Sequence, residues 1–275
     1  MRRPRPGLFP LLYLICLAPP SLVVWFTLLL TTPGMSAGDR ILEIPEGSSA
    51  TSVVDSLHAA GVLRHRLPAR VYLALSREGG RIHAGEYRFG PRDSTVGVIR
   101  RLVAGDVYQR PVTIPEGARA EEVVEALVAA GIGEAGPLRA AVSDPAPVRD
   151  LDPAAADLEG YLFPDTYQFP RGTPPAEIFG AMVRRFREAW GQVAAAGCAP
   201  RGLDVREAVI LASLIEKETG RDEERPVVSA VFHNRLRIGM PLQCDPTVIY
   251  GLQRRGTYGG RLTRSDLTSP TPYNT

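Results

Sequence analysis

The sequence predicts an α+β protein: an N-terminal apolar helix, a small β-α-α-β module, and then a mixed α+β domain. Three observations carry this reading. The chain opens on a long uncharged stretch; a strand, Pro-Glu-Gly turn and amphipathic helix at 41–62 recur at 111–132; and a sharply bounded helix over 204–220 ends in Glu216, Lys217 and Glu218.

Residues 8–30, "LFPLLYLICLAPPSLVVWFTLLL", hold no charge. As a helix they would span about 35 Å, enough for a hydrocarbon core of about 30 Å. Pro10, Pro19 and Pro20 would kink that helix, which a membrane segment tolerates better than a soluble one. Arg2, Arg3 and Arg5 precede it and no charge follows until Asp39. The positive-inside rule therefore makes 1–7 a cytoplasmic tail, 8–30 a transmembrane helix and 31–40 a linker, with the rest of the chain extracytoplasmic. A cleaved signal peptide fits less well, because the apolar region is long and "MSAG" at 35–38 is a poor cleavage site.

The repeat reads "ILEIPEGSSATSVVDSLHAAGV" at 41–62 and "PVTIPEGARAEEVVEALVAAGI" at 111–132. Each copy predicts a short strand, a turn whose glycine frees the backbone for positive φ, and a helix with Val53, Val54 and Leu57, or Val123, Val124 and Leu127, on its buried face. Gly61 and Gly131 close these helices. A weaker echo follows: "AGEYRF" at 84–89 and a helix from Ser94 to Val103, against "LEGYLFPDTYQF" at 158–169 and a helix from Pro175 to about Ala196. The first half, 41–110, thus has strands at 41–44 and 85–89, helices at 50–60 and 66–78 between them, and a further helix. By element order rather than by residues it resembles a LysM-like domain, a fold associated with N-acetylglucosamine-containing glycans. The remainder, 111–275, forms the second domain. Within it, the Pro/Ala/Asp-rich stretch 140–157 reads as an irregular excursion and a flexible cleft margin.

Composition excludes several classes of function. A net charge of +2 and no basic run interleaved with aromatics give nucleic acid no electrostatic footprint. Cys16, Cys198 and Cys244 show no zinc spacing, and spacing alone neither requires nor forbids a Cys198–Cys244 disulfide. His58, His65, His83 and His233 form no HxxxH or HExxH pattern, so no metal site is expected.

The helix "DVREAVILASLIEKETG" has Asp204 as N-cap, Glu207 completing a capping box, and Gly220 as its stop. Its last turn is unusual, because carboxylates there oppose the helix dipole. At 100° per residue, Arg206, Ser213 and Lys217 share a polar stripe. Val205, Val209 and Ala212 flank it on one side, Leu211 and Leu214 on the other, with Glu216 and Glu218 at the ends of the two flanks. A carboxyl that borders apolar surface is held neutral more often, which suits a general acid. An ordinary Glu is about 0.2% protonated at pH 7, one shifted to about 6 roughly 10%. A solvated helix end with an incidental acid pair is the competing reading, and geometry does not choose between the two acids. After a charged turn, Pro226 begins a second helix with Val227, Val228, Val231, Phe232 and Leu236 as its buried stripe and Gly239 as its stop. The two helices should pack side by side. Beyond them "PLQCDPTVIYG" places Gln243, Asp245 and Tyr250 in a turn and a short helix, and "SPTPYNT" ends the chain at Thr275. This terminal segment shows no capped helix or closing strand, so the domain is expected to be incomplete at its C-terminus.

The stretches "LEGYLFPDTYQF", "LASLIEKETG", "VFHNRLRIGMPLQCDPTVIYG" and "SPTPYNT", in that order, resemble the endolytic murein transglycosylase family, the YceG-like or MltG-type proteins. The resemblance implies a single-pass bacterial inner-membrane enzyme that cuts within nascent peptidoglycan glycan strands and leaves 1,6-anhydro-N-acetylmuramic acid ends. It selects Glu216 as the catalytic acid and then base, with no cofactor. Gln243, Asp245, Tyr250, Tyr273 and Asn274 fall on motif positions and are candidates to line the saccharide cleft. Asp245 also reads as a helix N-cap before "PTVIY". Lys217 and Glu218 would support the acid from behind. Glycan strands, the membrane, and peptidoglycan synthases or penicillin-binding proteins are the implied partners.

Two other classes compete. Lys217, the only lysine, would be the sole Schiff-base candidate for a pyridoxal-phosphate lyase acting on aminodeoxychorismate, but an export anchor and the lack of a phosphate-cradling glycine loop oppose it. A non-catalytic glycan-binding or scaffold protein would retain binding without producing anhydro ends.

Overall fold

The computed structural model describes residues 18–200 and 202–275. The chain divides into two compact units, one ending at Arg110 and one beginning at Pro111.

The first unit holds α1 (Ala18–Thr31), β1 (Arg40–Ile44), α2 (Ala50–Ala59), α3 (Arg66–Ser76), β2 (Gly85–Phe89) and α4 (Thr95–Ala104). β1 and β2 pair antiparallel with Leu42 opposite Tyr87. Ser49 caps α2, its hydroxyl accepting from Ser52 N–H, and Ser94 caps α4 through Gly97 N–H. Val53, Val54 and Leu57 of α2, Tyr87 and Phe89 of β2, and Val98, Ile99 and Leu102 of α4 share one core. The alternation that puts Tyr87 and Phe89 on the same strand face also stacks their rings, with centroids 6.1 Å apart.

Of the apolar stretch 8–30, residues 8–17 lie outside the described residues. Among the described residues no helix is long and apolar enough to cross a membrane. Pro19 and Pro20 stand in the first turn of α1 as described. This helix rests against α3 and α4, buries Leu30, and leaves Leu22, Val23, Val24, Trp25 and Leu28 exposed.

The second unit repeats the plan. It has β3 (Gln109–Thr113), α5 (Ala120–Ala129), α6 (Ala135–Val142), β4 (Thr166–Pro170) and α7 (Pro175–Ala195). β3 and β4 form a second two-stranded sheet. The correspondence reaches single bonds. Gly61 and Gly131 both adopt positive φ, and Val62 and Ile132 donate back to Leu57 and Leu127, the Schellman closure of a helix. The Tyr87 hydroxyl donates to His83 O four residues back, as Tyr167 does to Phe163 O. Tyr167 and Phe169 stack like Tyr87 and Phe89.

The excursion at 140–157 is not a loose margin. A 3-10 turn at Ala146–Val148 buries Val148, and Asp152 is only 3% exposed, accepting from the Tyr161 hydroxyl and from Arg206, each at 2.8 Å. Arg187 of α7 clasps Asp150 and the Pro147 carbonyl. Apolar residues among the prolines and alanines, Val148, Leu151 and Leu158, join the core and draw the segment inward.

Beyond α7 come α8 (Val205–Glu218), α9 (Arg225–Arg237), α10 (Asp245–Arg254) and α11 (Arg264–Thr268). α8 has the predicted capping box, Asp204 accepting from Glu207 N–H and Glu207 from Asp204 N–H. Val205 and Val209 pack on the larger core, whereas Leu211 and Leu214 meet Phe232 and Cys244 in a smaller one. The helix therefore joins two clusters through the two flanks read from its periodicity, although Ala208 is buried and Ala212 exposed.

Three expectations are corrected here. Gly220 does not stop α8. The chain leaves the helix at Thr219, extended at φ −142°, whose buried hydroxyl donates to Glu224 and accepts from Arg221 N–H. On α9 only Phe232 is buried; Val228 is half-buried, and Val227, Val231 and Leu236 are exposed, because α8 covers one narrow strip of that helix. The terminal segment does contain a capped helix, α11, with Thr263 accepting from Asp266 N–H. The cysteine pairing that spacing left open resolves to two free thiols, Cys198 exposed and Cys244 buried against α8.

Candidate active site

Glu216 lies in the last turn of α8 with its side chain 29% exposed, and its neighbour is a cation rather than an apolar surface. Oε2 is 3.0 Å from Nη2 of Arg225, the first residue of α9. The same Nη2 is 3.6 Å from Oε2 of Glu116, and Nη1 is 3.2 Å from Asp222. The helical turn between Glu216 and Arg225 folds α9 back beside α8, which returns the guanidinium to the carboxylate.

Glu116 belongs to the second Pro-Glu-Gly turn. Gly117 follows it at φ +70°, and a Cβ there would stand 3.3 Å from Cγ of Glu216 and 3.4 Å from Nζ of Lys217. The turn is thus pressed onto the end of α8. Beside it opens a recess of about 420 Å³ lined by Pro115, Glu116, Gly117, Glu122, Ala126 and Lys217. Lys217 is exposed at its rim. Burial pushes the Glu122 carboxyl up, but the hydrogen bonds and charge of Arg119, with a smaller contribution from the Lys217 charge, more than offset this and hold the group below its usual range.

Glu218 points elsewhere. It accepts from the Cys244 thiol at 3.6 Å, tying the end of α8 to the start of α10. Burial, then the Glu218 charge, pushes that thiol up to about 11. Gln243 precedes it in the left-handed region at φ +52°, with its side chain exposed and its N–H donating to Thr275 O at 2.7 Å. Asp245 is exposed as the first residue of α10; it is not the N-cap, a position Cys244 takes without a side-chain bond.

Tyr250, Tyr273 and Asn274 form a separate cluster. The two rings meet edge to face with centroids 5.5 Å apart, and Tyr273 lies so close over Gly251 that a Cβ there would come within 2.7 Å of it. Asn274 donates from Nδ2 to Leu267 O and Ser269 O, which holds the end of α11. Its amide hydrogens are therefore engaged within the chain.

Residues that the motif reading passed over complete the picture. Glu159 accepts from Ala120 N–H at 2.9 Å and so caps α5, whose N-cap position is Arg119 where the first repeat has Ser49. Burial raises its carboxyl above the usual range despite that bond. Arg254 donates to the Tyr250 hydroxyl and to Asp157 at 2.6 Å, joining α10 to the "DLEGY" segment. Burial and the Glu159 charge raise the Tyr250 hydroxyl. The sequence signals were the second Pro-Glu-Gly for Glu116 and the polar turn before Pro226 for Arg225, both legible as turns but not as partners of Glu216.

Chemically, the arrangement offers a carboxyl group that can give or take a proton, packed against the turn that lines an open recess, with a guanidinium to hold its charged form. No cluster of His, Cys, Asp or Glu able to hold a metal ion occurs among the described residues. This defines a class: an α+β protein with an internal β-α-α-β repeat and a carboxyl-centred site at the junction of two helices. The family model of the YceG-like family matches residues 42–275, and the chain belongs to that family.

An endolytic murein transglycosylase of Bacillus subtilis is 28% identical over 250 residues, covering 85% of this chain and 68% of that protein. One from Streptococcus pneumoniae is 29% identical over 267 residues, covering 84% of this chain and 47% of its own length. The chain thus spans about half the streptococcal relative. The crystal structure of a yceG-like protein from Listeria monocytogenes has 26% identity and a TM-score of 0.51, over 87% of this chain and 83% of that one.

Proposed function

We propose that the chain is an endolytic lytic transglycosylase that cuts peptidoglycan glycan strands, with Glu216 as both acid and base. The observation that carries this is Glu216 itself: a half-buried carboxyl group packed against the Pro-Glu-Gly turn that lines an open recess, in a family whose relatives bear the name endolytic murein transglycosylase. In the reaction Glu216 protonates the glycosidic oxygen between N-acetylmuramic acid and N-acetylglucosamine as the bond to C1 breaks. The C6 hydroxyl of the same muramic ring then bonds to C1 and returns its proton to Glu216. No water is consumed, the product ends in a 1,6-anhydro ring, and the tethered nucleophile gains from proximity.

Tyr250 and Tyr273 are placed in this reading as aromatic faces for sugar rings, Gln243 and Asp245 as exposed polar groups. Asn274 contributes by fixing the terminal segment. The first unit is read as a LysM-like glycan-binding module, a reading supported by its β-α-α-β order. A single-pass anchor with the N-terminus in the cytoplasm is supported by the uncharged stretch 8–30, the arginines before it and the exposed apolar side chains of α1. Such an anchor would hold the site near newly made strands and their synthases.

The test is digestion of purified uncrosslinked glycan strands with the full chain and with Glu216→Gln, followed by mass spectrometry of the ends. Anhydro-muramic ends with the native protein and their loss in the variant are expected. Strand binding without cleavage by the native protein would identify a glycan-binding scaffold instead.

A further inference from the structure

We propose that Arg225 is a positioning residue that alternates between Glu216 and Glu116, which lets one carboxyl group act first as acid and then as base. The proposal rests on the reading of Glu216 just given. A proton donor must be neutral, yet the Glu216 carboxylate stands 3.0 Å from a guanidinium. The guanidinium needs somewhere to go when Glu216 takes up its proton. Glu116 supplies it: the same Nη2 that meets Glu216 lies 3.6 Å from Glu116, just beyond hydrogen-bond length. A small rotation about the Arg225 side chain exchanges one partner for the other.

Three further features suit a group that must move. Nε of Arg225 is buried and makes no hydrogen bond, so the guanidinium is held only through its terminal nitrogens. Glu116 and Asp222 are 69% and 86% exposed, so water competes with both and they hold the cation weakly. Arg225 also opens α9, where the helix dipole disfavours a cation, so helix stability does not account for an arginine there. The cycle balances. Glu216 gives its proton to the glycosidic oxygen and becomes a carboxylate; Arg225 swings from Glu116 to hold it; the C6 hydroxyl returns a proton to Glu216 as its oxygen bonds to C1; and Arg225 goes back to Glu116.

The experiment measures kcat and KM for anhydro-end formation by the full chain, Glu216→Gln, Arg225→Ala, Glu116→Gln and the Glu116→Gln/Arg225→Ala double variant. Arg225→Ala should lower kcat by about 100-fold with little change in KM, and added methylguanidinium should restore part of the loss, which a purely structural role would not allow. Glu116→Gln should lower kcat by about tenfold, and the double variant should be no slower than Arg225→Ala, because the two residues act as one unit. Glu116 is exposed, so its variant tests the idea even if Arg225→Ala loosens α9. Wild-type kcat in Glu116→Gln and Arg225→Ala, with Glu216→Gln inactive, would overturn this inference and leave the transglycosylase reading standing. Losses that multiply in the double variant would also overturn it. A native protein that forms no anhydro ends would overturn both.

Discussion

Gly117 lies against Glu216 so closely that a methyl group on it would meet Cγ of the glutamate at 3.3 Å, and its φ of +70° belongs to the left-handed region. The turn and the end of α8 therefore share one surface, with glycine as the residue that fits there without strain. Gly117→Ala should cost about 1–2 kcal/mol from the backbone alone. Its effect on catalysis should be larger than that loss of stability implies, because the new methyl presses on the acid: kcat should fall by about tenfold under conditions where the variant is fully folded. Thermal melts alongside initial rates separate the two effects.

The buried Asp152 carboxylate supports α8 from its other end. Desolvation pushes its proton affinity up, but the Tyr161 hydroxyl and Arg206 more than offset this, and its pKa is lowered on balance. A group whose folded pKa is depressed contributes stability that is present above the unfolded value, about 3.9, and is lost as pH falls through the folded one. Asp152→Ala leaves the buried Tyr161 hydroxyl without its acceptor and should cost about 2 kcal/mol at neutral pH by urea unfolding. The native protein should lose stability below about pH 4 more steeply than the variant.

Burial on α9 is confined to a strip. Phe232 is 4% exposed in the cluster with Leu211, Leu214 and Cys244, whereas Val227 is 65% exposed. Phe232→Ala should destabilise the second unit by about 3–5 kcal/mol, and Val227→Ser should stay within about 0.5 kcal/mol. Equal effects in urea denaturation would mean that the helix faces the other way.

The contrast between the thiols gives a chemical test. Cys198 is exposed, while Cys244 is buried and raised to about 11 by burial and the Glu218 charge. Because thiolate is the reactive form, native-state alkylation followed by peptide mass mapping should label Cys198 within minutes and Cys244 only after unfolding. A disulfide between them under oxidising conditions would contradict the arrangement.

What the sequence made legible was local. The strands at 40–44 and 85–89, the glycine closures at Gly61 and Gly131, and the Asp204–Glu207 cap follow from periodicity and capping chemistry that neighbouring residues determine. What it hid was tertiary. Periodicity could mark Val227, Val231 and Leu236 as apolar but not say how much of that face a neighbour would cover. Thr219 could replace Gly220 as the stop because its hydroxyl found Glu224 in the next turn. The site divides the same way. Glu216 stood out on its own helix, while Arg225 and Glu116 became its neighbours only through the fold of α9 and of the second Pro-Glu-Gly turn. Asn274, a candidate to line the cleft, has its amide hydrogens bound to the backbone at Leu267 and Ser269, which no local pattern could show.

The most direct test of the central claim is the composition of the new chain ends when strands are cut in heavy-oxygen water. Attack by the C6 hydroxyl predicts anhydro ends that carry no solvent oxygen, produced by the native protein and absent with Glu216→Gln. Solvent oxygen at the new ends, or equal yields of anhydro ends from both proteins, would contradict the account.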